Sequence, residues 1–266
     1  MSGPGAAADG LWRVSVATYN RVIFPHPETG ALILALERRA TADRENARVR
    51  AQPFGGGVRI LDPAPLQELI GEIRYDSERS RAEQDFRILI PSFKWGAVKQ
   101  YCLHHLANPD DHELESSPGR ELAEEFEEDL GVQLEADQYA IQPVGFVIED
   151  NPVPTKNARA PGQPTVRLYR IFEVRIMDAA LCAALLDASR RYTDAELARL
   201  ALLDVQKNGR GRLNSVLTLP LVAVKEAYLA LPAEKRFTTI EVDGHRLDES
   251  VLAILTDVGV PPYQRL

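Results

Sequence analysis

The sequence predicts an α/β protein, and three observations carry that expectation. Apolar, β-branched stretches bounded by turn residues recur at 12–39, 48–54 and 139–176. Helical patterns with recognisable ends lie between and after them, best at 118–130 and 178–203. Hydrophobic residues make up 45% and charged residues 26%, the balance of a chain that can bury a core. At roughly 150 residues per domain, 266 residues fit one large domain or two small ones.

Element by element, Val14, Val16, Val22, Ile23 and Phe24 read as a first strand, 25–30 as a turn with Pro-Glu-Thr-Gly chemistry, and 31–36 as the returning strand. An extended piece at 48–54 runs into Gly55, Gly56 and Gly57, residues that permit backbone conformations closed to others and a close approach by a ligand, with a flexible turn as the plain alternative. The segment 58–115 reads as an insertion with its own elements: a short helix near 65–73, a charged stretch at 76–85, an apolar run at 86–90 and a helix near 95–106. At 118–130 a helix is expected, with Ser117 as its cap, Pro118 in its first position and Gly131 just past its end. Strands at 139–148 and 165–176 flank a loop at 149–164. Helices follow at 178–188, at 194–203 behind a capping box of Thr193 and Glu196, and at 219–231. The tail, 233–266, holds a hairpin signal at Asp243-Gly244 and a short helix near 248–256.

Composition narrows the function classes. With 31 Lys plus Arg against 39 Asp plus Glu, the formal charge is −8, which disfavours nucleic acid or an anionic membrane as partner. Cys102 and Cys182 are the only cysteines, too few for a disulfide framework or a cysteine-rich zinc site. Residues 1–10 lack the basic-then-apolar pattern of a secretory leader, and no run approaches the roughly 18 apolar residues of a membrane span. A cytoplasmic protein is the expectation. His104, His105 and His112 do not have zinc-ligand spacing. Trp95, Tyr101 and Phe93 suit a core as well as they suit stacking on a base.

The chemistry concentrates on the helix at 118–132, PGRELAEEFEEDLGV. At about 100° per residue, Leu122, Phe126 and Leu130 form an apolar stripe. Glu121, Glu125, Glu128 and Asp129 share the adjoining arc, three and four residues apart. Like charges so placed repel by about 0.2–0.5 kcal/mol per pair, and a divalent cation reverses the sign, since Mg²⁺ and Mn²⁺ take carboxylate oxygens together with substrate phosphates. A solvated acidic face is the plain alternative.

The run Glu124, Glu125, Phe126, Glu127, Glu128, Asp129, Leu130, Gly131, Val132 resembles the second half of the signature of the Nudix hydrolase family, with Glu124 where that signature has arginine, Asp129 for a glutamate and Ser116 where it has an upstream glutamate. Gly57 corresponds to its leading glycine, so the insertion at 58–115 splits the box. The resemblance implies an α/β/α sandwich with a mixed central sheet over 11–232, followed by an extension at 233–266. It implies Mg²⁺ or Mn²⁺ held by Glu125, Glu128 and Asp129, with Glu121 a further ligand or the base that orients water, and hydrolysis of a nucleoside diphosphate linked to another moiety. Gly55, Gly56 and Gly57 would lie beside the substrate. The alternative under the same resemblance is a catalytically inactive module that senses a nucleotide or binds a protein partner, the insertion offering a surface for one. A scaffold whose acidic helix meets no metal is a third reading. Outside the box, QKNGRGRLN at 206–214 sets Lys207, Arg210 and Arg212 among two glycines, a composition suited to gripping phosphate. Lys156 and Arg159 sit in the 149–164 loop, from which they could reach an anion.

Overall fold

Residues 10–108, 110–115, 117–155, 160–232, 236, 238–258 and 264–265 are described by the computed structural model of the chain. Lys156, Arg159 and Ser116 lie outside the described residues, as do the first nine positions and the side chains of Glu121, Asp129 and Leu130. The architecture is mixed α/β, with helices on a large mixed sheet.

One strand organises that sheet. β1 (Leu11–Pro25) runs 15 residues and pairs in parallel along one edge with the strand at 164–176, from Arg13↔Thr165 to Ile23↔Arg175. Along its other edge it takes three antiparallel partners in succession. Its last four residues meet β2 (Leu32–Ala42) across the turn expected at 25–30, and Ala17 to Asn20 meet β4 (Phe54–Gly57), which follows β3 (Ala47–Gln52). Leu11 to Ser15 meet a strand from the 58–115 segment.

That segment contains β5 (Arg59–Ile60), α1 (Ala64–Ile70), β6 (Arg74–Tyr75), α2 (Glu78–Ala82), β7 (Arg87–Pro91), α3 (Trp95–Ala107) and β8 (Leu114–Glu115). β7 is the strand on β1, and Ile88, Ile90, Trp95 and Val98 share one buried cluster with Val14, Val16, Val166 and Leu168. The 58–115 segment is therefore stitched to the central sheet by both hydrogen bonds and apolar packing. Between the β7 and β4 pairings, Val16 bridges to both neighbours, donating to the Phe86 carbonyl and accepting from the Val58 amide, each at 3.1 Å.

α4 (Pro118–Leu130) has the ends its sequence requires. The Ser117 hydroxyl accepts from the Arg120 amide, and Gly131 closes the helix in the left-handed conformation at φ 66°. β9 (Tyr139–Pro154) and β10 (Pro164–Ile176) form a long antiparallel pair. β9 extends past the expected end at 148 into the 149–164 loop, and two of its three prolines, Pro152 and Pro154, fall at the far end of the strand, where among the described residues only β10 pairs with it and a missing amide costs little, while Pro143 lies at a register shift against β10.

α5 (Ala179–Arg190) and α6 (Asp194–Asn208) follow, the latter with the Thr193–Glu196 capping box formed. β11 (Arg212–Pro220) corrects two expectations: 212–214 belong to a strand rather than to a loop, and 219–220 precede α7 (Leu221–Leu229) rather than opening it. Its two faces enter different buried clusters, Leu217 and Leu219 one and Val216 another, with β2 alongside. β12 (Ile240–Val242) and β13 (His245–Leu247) form the expected hairpin, with Asp243 and Gly244 both at positive φ. A 3-10 turn, Glu249–Val258, and β14 (Gln264–Arg265) complete the chain. Among the described residues no helix is long and apolar enough to cross a membrane.

The tail is core. Val251, Leu252, Ala253, Ile254 and Leu255 are all fully buried, and the Ile254 carbonyl accepts from buried Arg21, which is itself paired with Glu173 at 2.5 Å. α4 docks through the predicted stripe. Leu122 and Phe126 are fully buried, and the Phe126 ring lies 5.2 Å from that of Phe54 on β4. Truncating Phe126 to alanine should cost about 3–5 kcal/mol of unfolding free energy in urea; a loss below about 1 kcal/mol would show that α4 is not anchored in this way.

Candidate functional site

Packing of Phe126 on Phe54 brings the acidic helix to the glycine strand, and a hydrogen bond fixes the register between them. The Gly55 amide donates to Glu125 Oε2 at 2.7 Å. Gly55 has φ +130°, and a Cβ there would stand 2.1 Å from the Thr18 carbonyl oxygen. At Gly57 a Cβ would stand 2.1 Å from Asp85 Oδ1. Both glycines are thus required by the approach of the protein's own backbone and side chains.

Gly55, Gly56, Gly57, Glu125 and Glu128 line one open cleft of about 840 Å³. Six arginines face the same space: Arg39 and Arg212 from paired β2 and β11, Arg59, Arg79 and Arg87 from the 58–115 segment, and Arg120 from the first turn of α4. Arg39 reaches both oxygens of fully buried Glu37 at 2.6 and 2.7 Å, and Gln52 adds a third donor at 2.7 Å. The guanidinium of Arg212 stands 3.8 Å from the same carboxylate. Its pKa is lowered, first by partial desolvation and then by the neighbouring Arg39. Glu37 thereby holds the Arg39 guanidinium by hydrogen bonds, with that of Arg212 near enough for ion pairing, a pair of groups of the kind suited to phosphate or carboxylate oxygens.

Arg120 closes one side. Its Nε donates to Glu115 at 2.7 Å and its Nη1 to both oxygens of Glu124, while Arg59 reaches Glu115 at 3.2 Å. This chain of exposed ion pairs is worth little in stability, yet it ties the end of the inserted segment to the helix. Glu124 is thus neutralised from within its own helix, at the position where the sequence pattern has arginine.

Asp85 is the buried carboxylate of the cleft. Only 5% exposed, it contacts Arg87 at 2.5 Å through Oδ2, and its Oδ1 has no hydrogen-bond partner. Burial pushes its pKa from the ordinary 3.8 up to about 6, the attraction of Arg87 offsetting only part of that desolvation.

Of the residues singled out in the sequence, the structure brings together Gly55, Gly56, Gly57, Glu125, Glu128 and Arg212. Glu121 and Asp129 lie on α4, with side chains outside the described residues. Lys207 falls in the last turn of α6 and Arg210 between Gly209 and Gly211; both are exposed and neither lines the cleft. The glycines beside them have local work. Gly209 caps α6 at φ 71°, and Gly211 passes so close to Val205 and the Ala42 carbonyl that no Cβ fits. Sequence reasoning missed Arg39, Glu37, Asp85 and Arg87. The available signal was Glu37, Arg38 and Arg39 inside an otherwise apolar strand, a charge run that a buried network explains. A scan against family models and searches of characterised proteins and of solved structures find no match to this chain.

The raised pKa of Asp85 gives a signed prediction. Its folded value lies above its unfolded one, so its contribution to stability is complete below about pH 4 and is lost as pH rises through about 6. Relative to Asp85→Asn, the wild type should lose unfolding free energy across that window. A flat difference between pH 4 and 6 would place the carboxyl at its ordinary pKa.

Proposed function

We propose that the cleft is a metal-assisted phosphate site, and that the chain is a Mg²⁺- or Mn²⁺-dependent hydrolase of a nucleoside diphosphate linked to another moiety, acting in the cytoplasm on a fold similar to the Nudix α/β/α sandwich. One observation carries the reading: the Gly55 amide on Glu125 sets the glycine strand and the acidic helix on the same cavity, with Glu128 beside them and the Arg39–Arg212 pair lining the same space. Carboxylate oxygens are the donors that hard divalent cations prefer. A cation bound there would supply charge neutralisation for the diphosphate and a bound water of lowered pKa.

The remaining work falls to the chain. Glu125 is held in place by a backbone amide, so its contribution to a ligand set is preorganised. Glu128, nearly one turn further along the helix, is exposed. Asp129 and Glu121 enter the proposal as third ligand and as the group that orients water, on the strength of their helical spacing. Arg212 and Arg39 would take phosphate oxygens, since both line the cleft and Glu37 holds Arg39 by hydrogen bonds.

A second reading is favoured by Glu124 and its pairing with Arg120: the box departs from its pattern there, so a nucleotide sensor without turnover, or a partner-binding module using the 58–115 surface, fits the same cleft. With Mg²⁺ present, release of phosphate products from a panel of nucleoside diphosphate compounds separates the two. Glu128→Gln should lower turnover at least about 100-fold while leaving the circular dichroism spectrum unchanged, and undiminished turnover contradicts the hydrolytic reading. Mg²⁺-dependent binding without product supports the sensor. Arg212→Ala should weaken pyrophosphate binding about tenfold, the size of a charge-assisted hydrogen bond; an unchanged Kd would take Arg212 out of the site.

A further inference from the structure

A second cavity opens beside the first. It has a volume of about 450 Å³, within the range of small-ligand sites, and it shares Tyr19 and Arg87 with the cleft. Its floor follows from the pleat of β1. Arg13, Ser15, Ala17 and Tyr19 lie on one face of the strand, and the parallel register sets Ser15 beside Arg167 and Ala17 beside Tyr169 on β10. Two small side chains between two large ones leave a hollow. Its far wall, Asp248 to Ser250, comes from the C-terminal segment, beyond the 11–232 unit.

Charge decides what such a hollow can take. Each of its arginines already has a carboxylate: Arg13 has Asp76 at 2.7 Å, Arg87 has Asp85 at 2.5 Å and Arg167 has Glu149 at 2.7 Å. Asp248, paired with Arg50 at 3.4 Å, and Glu249, 3.9 Å from Arg167, add two further acids to the wall, leaving five carboxylates to four guanidinium groups. The balance opposes a second phosphate and favours a neutral group rich in hydroxyls, whose O–H groups donate to carboxylates. Tyr19 and Tyr169, with ring centroids 5.1 Å apart, add an aromatic surface. Burial holds both phenols protonated, Tyr19 up to about 12.

We infer that this second cavity binds a hydroxyl-bearing ring, the ribose or hexose end of the ligand whose phosphates occupy the main cleft, and that the C-terminal segment completes it. The inference rests on the phosphate-site reading above, and the test separates the two. Calorimetry with Mg²⁺ compares pyrophosphate with ribose 5-diphosphate, which reads the ribose, and UDP with UDP-glucose, which reads the hexose, on the wild type and on Ser15→Leu, where the hollow is filled.

At least one ring-bearing ligand should bind the wild type about tenfold more tightly than its counterpart without that ring, and Ser15→Leu should abolish that gain while leaving pyrophosphate affinity unchanged. No gain in the wild type, or a gain that survives in Ser15→Leu, overturns the inference. Absence of pyrophosphate binding to the wild type instead overturns the phosphate-site reading. Should Ser15→Leu misfold, Glu249→Gln on the wall, where the side chain is 29% exposed, gives the same readout: a reduced ring gain supports the inference and an unchanged one contradicts it.

Discussion

The hydrogen bond from the Gly55 amide to Glu125 is the constraint on which the site depends. It forms only because position 55 adopts φ +130° against the Thr18 carbonyl, which only glycine tolerates. That conformation in turn depends on β4 pairing with the middle of β1. Phe54 and Phe126 supply the apolar contact that holds the helix at this distance. A short-range turn feature, a sheet register and an aromatic pair thus converge on the placement of one carboxylate.

The same strand explains how the 58–115 segment and the C-terminal residues are parts of one structure. β1 is long enough to be shared by three antiparallel partners on one edge, and the change of partner near Val16 is where Gly57 meets Asp85. Residues from the 58–115 segment therefore enter the cleft directly. The tail enters through a different device: five consecutive buried apolar residues, with the Ile254 carbonyl bound by Arg21. Arg21 needs Glu173 as well, since a lone buried guanidinium carries a large desolvation cost.

Much of this was legible in the sequence. The bounds of α4, its cap, its C-terminal glycine and its buried stripe follow from local chemistry, and so do the capping box of α6 and the Asp243-Gly244 hairpin. Local chemistry also explains the misreadings. Gly209 and Gly211 look like a flexible phosphate loop, yet Gly209 ends α6 in the left-handed conformation and Gly211 answers to the close approach of Val205 and the Ala42 carbonyl, and β11 beyond them is recognisable only beside β2. Glu37 and Arg39 are neighbours on one strand, but their meeting with Arg212, far off in sequence, was hidden for the same reason, since it arises only through the register of β11 on β2. The 3-10 turn at 249–258 has no polar face to give it a period, because its middle is enclosed on all sides.

A crystal structure of the protein soaked with Mn²⁺ and pyrophosphate tests the central claim most directly. The account places an anomalous manganese peak within bonding distance of Glu125 and Glu128, with the pyrophosphate between it and the Arg39–Arg212 pair. Manganese bound elsewhere, or pyrophosphate seated away from Gly55 to Gly57 with no cation beside α4, would contradict it.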